Sequence, residues 1–280
     1  SVLRIPSTGS ISMNLEGLFT HTTVTFDDSL QEDQFILDGK PQSEHDTQRD
    51  SFFLNHVRNI ADISSFSFVQ SDNNFPTAAG LASSASAFAA LALASSAALQ
   101  LNLDEAALSR LARLGSGSAC RSIPNGFVEW QAGTSNFDSY AFSIASPDHW
   151  ALSDCIAIIS TATKNVSSSQ GHNLAYTSPL QASRVEDAPR RLAICRQAIL
   201  QRDFEAFASI AELDCLWMHA VMMTSNPALM YCTPVTLEVL MLVKEWRKQG
   251  LPVFFTIDAG ANVHVITETN YAQEITNRLK

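Results

Sequence analysis

Residues Leu81 to Leu99 are alanine, serine and leucine with a single phenylalanine, so a helix there has no charged or amide side chain on any face. A helix without a strongly polar face is a buried one, which means other elements must enclose it. The chain has 280 residues, 46% of them hydrophobic, enough for the core this requires. The longest apolar run, Phe88 to Leu99, is broken by serines. It is shorter than the roughly 20 residues that span a bilayer, so no membrane span is expected from it.

Apolar and polar residues alternate from Ser10 to Ile36, which predicts antiparallel strands with turns at Asp27-Asp28 and Asp38-Gly39. Phe53, Leu54, Val57, Ile60 and Ala61 recur at helical spacing and predict a helix from about Asp50, followed by a strand from Phe66 to Gln70. After the apolar helix, Asp104 is positioned to cap a second helix running to Leu114. Gly115 to Ser122 reads as a small-residue loop, and strands follow at Phe127–Gln131 and Tyr140–Ile144. Ser146-Pro-Asp-His149 is the expected domain boundary, giving domains 1–148 and 149–280. The second half is expected to hold a strand at Cys155–Ser160, a polar loop from Thr163 to Ser178 and three helices. These span Val185–Gln201, Asp203–Met222 and Thr233–Gln249, ahead of two strands flanking Asp258–Ala261 and a last helix. Strands and helices are segregated rather than alternating, so the class is α+β.

The net charge of −10 opposes partnership with nucleic acid or an anionic membrane surface. Any anionic ligand must be held locally, by backbone N–H groups, hydroxyls, a few arginines and a divalent cation. Five scattered cysteines form no Cys-x-x-Cys pair, which fits free thiols in a reducing cytoplasm. The chain opens at Ser1 with neither a methionine nor a signal-peptide core, and reads as a fragment of a longer protein.

Three segments could carry chemistry. In Asn74-Phe-Pro-Thr-Ala-Ala-Gly80-Leu-Ala-Ser-Ser84, a small-residue loop feeds the apolar helix, so backbone N–H groups, the helix dipole and the Ser83 and Ser84 hydroxyls can receive phosphate. No Gly-Lys-Ser/Thr follows, so this is not a Walker A loop, and a serine cap on a core helix is the competing reading. In Gly115-Ser-Gly-Ser-Ala-Cys-Arg-Ser122, the Ser116 and Ser118 hydroxyls and the Arg121 fork suit phosphate oxygens, although such loops are commonly plain connections. In Thr256-Ile-Asp258-Ala-Gly260-Ala-Asn262, a carboxylate at a strand end can take or orient a hydroxyl proton, the alternative being an ordinary Asp-x-Gly turn.

The first segment resembles the nucleotide-phosphate loop of GHMP kinases, Pro-x-x-x-Gly-Leu-x-Ser-Ser. As Asn73-Asn-Phe-Pro-Thr-Ala-Ala-Gly-Leu-Ala-Ser-Ser84 it resembles the form found in diphosphomevalonate decarboxylases. The second segment is similar to that family's substrate-phosphate loop. The third is similar to its Asp-Ala-Gly-Pro-Asn, with Ala261 in place of proline. Lys164-Asn-Val-Ser-Ser-Ser-Gln-Gly-His172 is similar to Lys-x-Val-Ser-Ser-Thr-x-Gly-Met, but the stretch to Thr177 is one residue short, leaving Ala175 or Thr177 as the counterpart of a substrate-contacting threonine.

The resemblance implies the GHMP kinase fold, with a ribosomal S5 domain 2-like N-terminal domain that binds ATP and a ferredoxin-like C-terminal domain. It implies ATP and Mg²⁺ as cofactors, with nucleotide contacts at Ala79, Gly80, Leu81, Ala82, Ser83 and Ser84 and with Ser84 also at the metal. Substrate contacts are implied at Ser116, Gly117, Ser118, Ala119, Cys120 and Arg121, at Thr177, and at an arginine near Asp50. Arg49 and Arg58 are both candidates for that arginine, and Arg58 is preferred because it lies inside the predicted helix. Asp258 is implied as the catalytic residue. His219, on an apolar helix, is given packing or capping and no chemistry. A lysine- and tyrosine-bearing segment that opens the family's sequences is not present before Ile5.

The expected partner is a phosphorylated mevalonate, and the expected assembly is a cytoplasmic homodimer. The expected reaction is ATP-dependent decarboxylation of 5-diphosphomevalonate. Alternatives are 5-phosphomevalonate as substrate, phosphorylation of mevalonate without decarboxylation, or an inactive nucleotide-binding protein.

Overall fold

A computed structural model describes residues 3–75, 83–161 and 168–280, with the side chains of 168–170 outside the description. The described chain divides into two compact units that meet in sequence between Ser146 and Pro147.

The first unit runs β1 (Ser10–Met13), β2 (Thr20–Asp27), β3 (Gln34–Leu37), β4 (Lys40–Pro41), α1 (Glu44–Ala61), β5 (Phe66–Asn73), α2 (Ser83–Ala98), α3 (Glu105–Gly115), a 3-10 helix (Gly117–Ser122), β6 (Phe127–Trp130) and β7 (Ala141–Ala145). Its strands form a sheet in the order β2-β5-β3-β4 and another in the order β1-β6-β7. The expected antiparallel run from Ser10 to Ile36 is therefore corrected. β1 belongs to a different sheet from β2, and β3 pairs with β5 in parallel. Alternation shows which face of a strand is buried but not which strand lies beside it. The Asp38-Gly39 turn is as expected, with both residues at positive φ (49° and 74°), the geometry of a tight hairpin.

Helix α1 begins six residues before the expected Asp50. Ser43 caps it by accepting from Asp46 N, and Glu44 and Asp46 complement the dipole in a first turn that has no apolar spacing to betray it. Asp104 caps α3 as expected, its Oδ1 accepting from Ala107 N at 2.7 Å. Helix α2 packs Phe88, Leu91 and Ala92 into a core shared with Phe53, Leu54, Val57, Val69 and Leu111, and Ala85 and Ala89 are buried as well. The buried Ser95 satisfies its hydroxyl on the Leu91 carbonyl at 2.6 Å.

The second unit opens with a short 3-10 turn (Pro147–His149) and runs β8 (Leu152–Ala157), α4 (Ser168–Ala175), α5 (Gln181–Gln201), α6 (Phe204–Met223), α7 (Pro234–Lys248), β9 (Val253–Thr256), β10 (Val263–Glu268), a second 3-10 turn (Thr269–Tyr271) and α8 (Ala272–Arg278). Its sheet, in the order β8-β10-β9, is antiparallel throughout. One face carries a core of Val253, Phe255, Val263 and Val265 against Leu240, Val243, Trp246 and Ile275.

Residues 168–175, expected to lie in a loop, form α4. A glycine and two serines mask its helical pattern, and tertiary packing supplies what propensity lacks: Ala175 is buried with Val221 and Met222 of α6. Helix α6 is the one described helix long and apolar enough, by length and composition, to cross a membrane. Glu212, halfway along it, is buried and clamped by Arg247 at 2.9 and 2.8 Å, and the helix lies along β9, which marks it as a core helix of this fold.

Candidate functional site

Residues 76–82 lie outside the described residues, and with them Ala79, Gly80, Leu81 and Ala82; so does Lys164 of the 162–167 stretch. The anchor preceding the first of these segments is described. Asn74 accepts from Phe19 N and donates to the Gly17 carbonyl, both at 2.8 Å, which fixes the end of β5. Beyond the gap, Ser83 and Ser84 form the first turn of α2, which carries no acidic residue to neutralise its dipole. Ser84 Oγ lies 3.3 Å from Ser116 Oγ, so the two serine-bearing segments meet within the first unit.

The segment after Gly115 is a 3-10 helix rather than the expected loop. A Cβ on Gly115 would lie 2.0 Å from the Phe88 ring, so only glycine lets the chain turn this close to α2. Within the helix the polar residues divide by role. Ala119 and Cys120 are fully buried, and Cys120 Sγ donates to the Gly117 carbonyl at 3.1 Å. Burial pushes its thiol up to about 12, which leaves no thiolate near neutral pH. The side chains of Ala119 and Cys120 are therefore packed inward, so any ligand contact from these two residues falls to their backbone. Ser116 and Ser118 remain partly exposed. Arg121 is braced along β1 by Ser10 and by Ser12 Oγ at 3.1 Å, and its guanidinium lies 5.8 Å over the Trp130 ring.

Arg58, the preferred candidate of the two arginines, is committed to the core of the first unit. Its guanidinium is buried, ion-paired with the buried Asp33, and spent further on Asn55 and on the Ser65 carbonyl at 2.9 Å. Arg49 is partly exposed on α1 and lies 5.2 Å over Phe88, the ring that packs on Gly115. Arg4, whose Nε donates to the Leu114 carbonyl at 3.0 Å, is held below its usual value by burial and by the Arg49 charge. Two mutually repelling cations beside the serine helix form a surround suited to an anion. The sequence reading missed Arg4, whose neighbours show only in the fold.

In the second unit Asp258 is exposed, directly beyond the buried Ile257. Strand β9 is an edge strand, and α6 supplies side chains to its free side: Phe255 N donates to Glu212 Oε1 at 3.4 Å, Ile257 N to Cys215 Sγ at 3.2 Å, and His219 Nε2 to the Ile257 carbonyl at 3.3 Å. Burial pushes the His219 imidazole down, against the opposing pull of that carbonyl and of the Asp258 charge. A neutral ring donating from Nε2 fits this position. Beyond Asp258 the turn is anchored by Gly260 N on the Asp258 carbonyl and Thr236 Oγ1 on the Ala261 carbonyl, both at 2.8 Å. Asn262 Oδ1 accepts from Ile159 N and Ser160 N. The turn is thus held without the proline that Ala261 replaces. The pinning residues 212, 215 and 219 share one helical face, a spacing readable in the sequence only once β9 is known to lie beside it.

Thr177, one of the two expected counterparts of a substrate-contacting threonine, has a structural role in the described residues. Its hydroxyl donates to the Leu174 carbonyl at 2.6 Å and accepts from Asn226 N at 2.7 Å, so it closes α4 and ties down a neighbouring turn. His172 is exposed on α4.

Among the described residues no cluster of three or more His, Cys, Asp or Glu could hold a metal by itself. A hard cation that arrives with phosphate and keeps most of its other ligands as water needs only an oxygen such as Ser84 Oγ, so the residues present fit Mg²⁺ carried by a nucleotide.

The family described as "Diphosphomevalonate decarboxylase-like N-terminal domain" matches residues 1–141, and that described as "Mevalonate 5-diphosphate decarboxylase C-terminal domain" matches residues 155–280. The diphosphomevalonate decarboxylase of Candida albicans is 38% identical over 93% of this chain and 76% of its own length. The crystal structure of mevalonate diphosphate decarboxylase from Staphylococcus aureus superposes with a TM-score of 0.96 at 41% identity, covering 99% of this chain and 85% of that one. A structure of MDDEF in complex with MVAPP, AMPPCP and magnesium superposes with a TM-score of 0.94 at 40% identity, covering 100% and 86%.

Proposed function

The chain belongs to the diphosphomevalonate decarboxylase family and has its GHMP kinase fold, and from that premise we propose how its residues divide the work of an ATP-dependent decarboxylation. The substrate is 5-diphosphomevalonate and the products are isopentenyl diphosphate, ADP, phosphate and CO₂. Residues 1–148 form the ATP-binding domain and residues 149–280 the C-terminal domain. Ser83 and Ser84, with the dipole of α2, hold ATP phosphates, and Ser84 Oγ would be a ligand of Mg²⁺, which would supply charge stabilisation to the transferring phosphoryl group. Ser116, Ser118, Arg121 and Arg49 hold the anionic end of the substrate.

Asp258 takes the proton of the C3 hydroxyl as that oxygen attacks the γ-phosphorus and the bond to ADP breaks. The C3–O bond, whose oxygen now carries the phosphoryl group, then breaks and phosphate leaves, while the bond between the adjacent methylene carbon and the carboxylate carbon gives its electron pair to the new alkene and CO₂ is released. The observation that carries this reading is Asp258 itself, an exposed carboxylate that follows a residue with both backbone groups fixed by α6. A base held this way loses little entropy on reaching its proton. Asp258→Asn keeps the shape and removes the base, so kcat should fall by at least about a hundredfold. A folded Asp258→Asn protein with near-normal turnover would remove Asp258 from the mechanism.

We further propose a cytoplasmic homodimer. Leu237 and Met241, one helical turn apart on α7, are exposed apolar side chains, which supports burial of that helix face against a second copy.

A further inference from the structure

Helix α1 turns Asp50 inward at the head of the stripe formed by Phe53, Leu54 and Val57. Side chains three, four and seven positions apart share a helix face, and an apolar residue at position 50 would extend this one at no electrostatic cost. Asp50 is 7% exposed and lies beyond the first turn, where Glu44 and Asp46 already complement the helix dipole. Burial pushes its carboxyl up, against the pull of Arg49 and of the Gln42 side chain, and the charge of Asp46 adds to the rise. A carboxyl raised in this way binds its proton more tightly in the folded chain, so its ionised form works against the fold. Stability therefore does not account for an aspartate here.

What the position does hold is Arg49. Arg49 Nε donates to Asp50 Oδ1 at 3.1 Å, and the guanidinium carbon lies 5.2 Å over the Phe88 ring. Phe88 is fixed in turn: it meets Phe53 edge-on at 5.4 Å, and its ring fills the space that a Cβ on Gly115 would need. One carboxylate oxygen and one aromatic ring thus hold a side chain that is itself 47% exposed, beside the ring that seats the entry to the serine-bearing 3-10 helix. Arg49 Nη1 has only Asp46 Oδ1 at 4.0 Å, beyond hydrogen-bonding reach, and Nη2 has no partner among the described residues. Nε is spent on orientation, and the two nitrogens that can fork an oxyanion are left for a ligand.

We propose that Asp50 is the positioning residue of Arg49: it fixes the guanidinium over Phe88 with both Nη groups open, so that the anionic end of the substrate meets a cation already in place. This rests on Arg49 holding that end. An arginine free to rotate must be ordered at each binding event, and the buried carboxylate does that ordering in advance, at a cost in stability. Without Arg49 the carboxyl takes up a proton rather than standing as a bare buried charge, so Arg49→Ala loses affinity without a large loss of stability.

The test is steady-state kinetics with 5-diphosphomevalonate on Asp50→Leu, Asp50→Ala, Asp50→Asn, Arg49→Ala and the double variant Arg49→Ala/Asp50→Leu, with urea denaturation of each. Loss of the acceptor in Asp50→Leu or Asp50→Ala should raise KM for 5-diphosphomevalonate about threefold to tenfold, the effect of ordering one long side chain, with kcat and the KM for ATP close to wild type. Asp50→Asn keeps an oxygen for Nε and should recover most of that loss. Asp50→Leu should have a urea midpoint no lower than wild type. It should add nothing to the KM of Arg49→Ala, because a residue that acts only through another has no effect once that one is gone. Asp50→Ala reads the same loss without a larger side chain, so misfolding of Asp50→Leu leaves the test intact. A wild-type KM in a folded Asp50→Ala or Asp50→Leu protein, or a loss that adds in full to that of Arg49→Ala, overturns the proposal, while Arg49 keeps its role if Arg49→Ala raises KM. A wild-type KM in Arg49→Ala overturns both.

Discussion

Arg49 and Arg58 lie on the same helix, yet their surroundings make one a candidate ligand and the other a core strut. Removing Arg58 leaves Asp33 as a buried charge with no ionic partner, and a broken buried pair of this kind costs about 3–5 kcal/mol. Among the described residues Arg49 pairs with Asp50 and Asp46 at a partly exposed site, where an ion pair is worth about 1 kcal/mol or less. Urea denaturation should therefore show a large loss of stability for Arg58→Ala and almost none for Arg49→Ala, while steady-state kinetics should show a raised KM for 5-diphosphomevalonate in Arg49→Ala. The reverse pattern would return the ligand role to Arg58. Both arginines were visible as candidates in the sequence. Their separation was not, because it depends on Asp33, 25 residues away in the chain, folding under the helix. The structural bond of Thr177 was hidden for the same reason, since its partner Asn226 lies 49 residues away.

Short-range signals at the level of the element were far more legible. Asp104 before an amphipathic run, Asp38-Gly39 between strands and an all-apolar alanine-serine helix each state a local physical requirement, and the structure meets each one. The 3-10 helix at Gly117–Ser122 and α4 escaped notice because neighbours hold them: Phe88 against Gly115 in one case, and Val221 and Met222 against Ala175 in the other.

The β8-β10-β9 sheet has a pH-dependent consequence of its own. His264 Nδ1 donates to Asp154 Oδ2 at 2.7 Å and the folded-state pKa of His264 is raised, so the folded chain binds a proton there more tightly than the unfolded chain does. The resulting stability is fully present below the ordinary histidine value of about 6.5 and is lost as pH rises through the raised value. His219, pushed down by burial, has the opposite sign and costs stability as pH falls below about 6.5. In urea titrations across pH 5 to 8, the gap in stability between the wild-type protein and Asp154→Asn should be widest at the acid end and narrow as pH rises. A gap independent of pH would mean that Asp154 and His264 do not share a proton.

For the whole molecule, a chain of net charge −10 that acts on anions must confine its positive charge, and in the first unit Arg4, Arg49 and Arg121 do so beside hydroxyls on the 3-10 helix and α2. The exposed face of α7 leads to the expectation of a dimer mass in light scattering at micromolar concentration, and a monomer mass would remove α7 from that role. The central claim is tested most directly by incubating the protein with ATP·Mg²⁺ and, separately, 5-diphosphomevalonate, 5-phosphomevalonate and mevalonate, measuring ADP and CO₂ independently. ADP and CO₂ in equal amounts with 5-diphosphomevalonate as the preferred substrate is the predicted result; ADP without CO₂, or neither product, would contradict it.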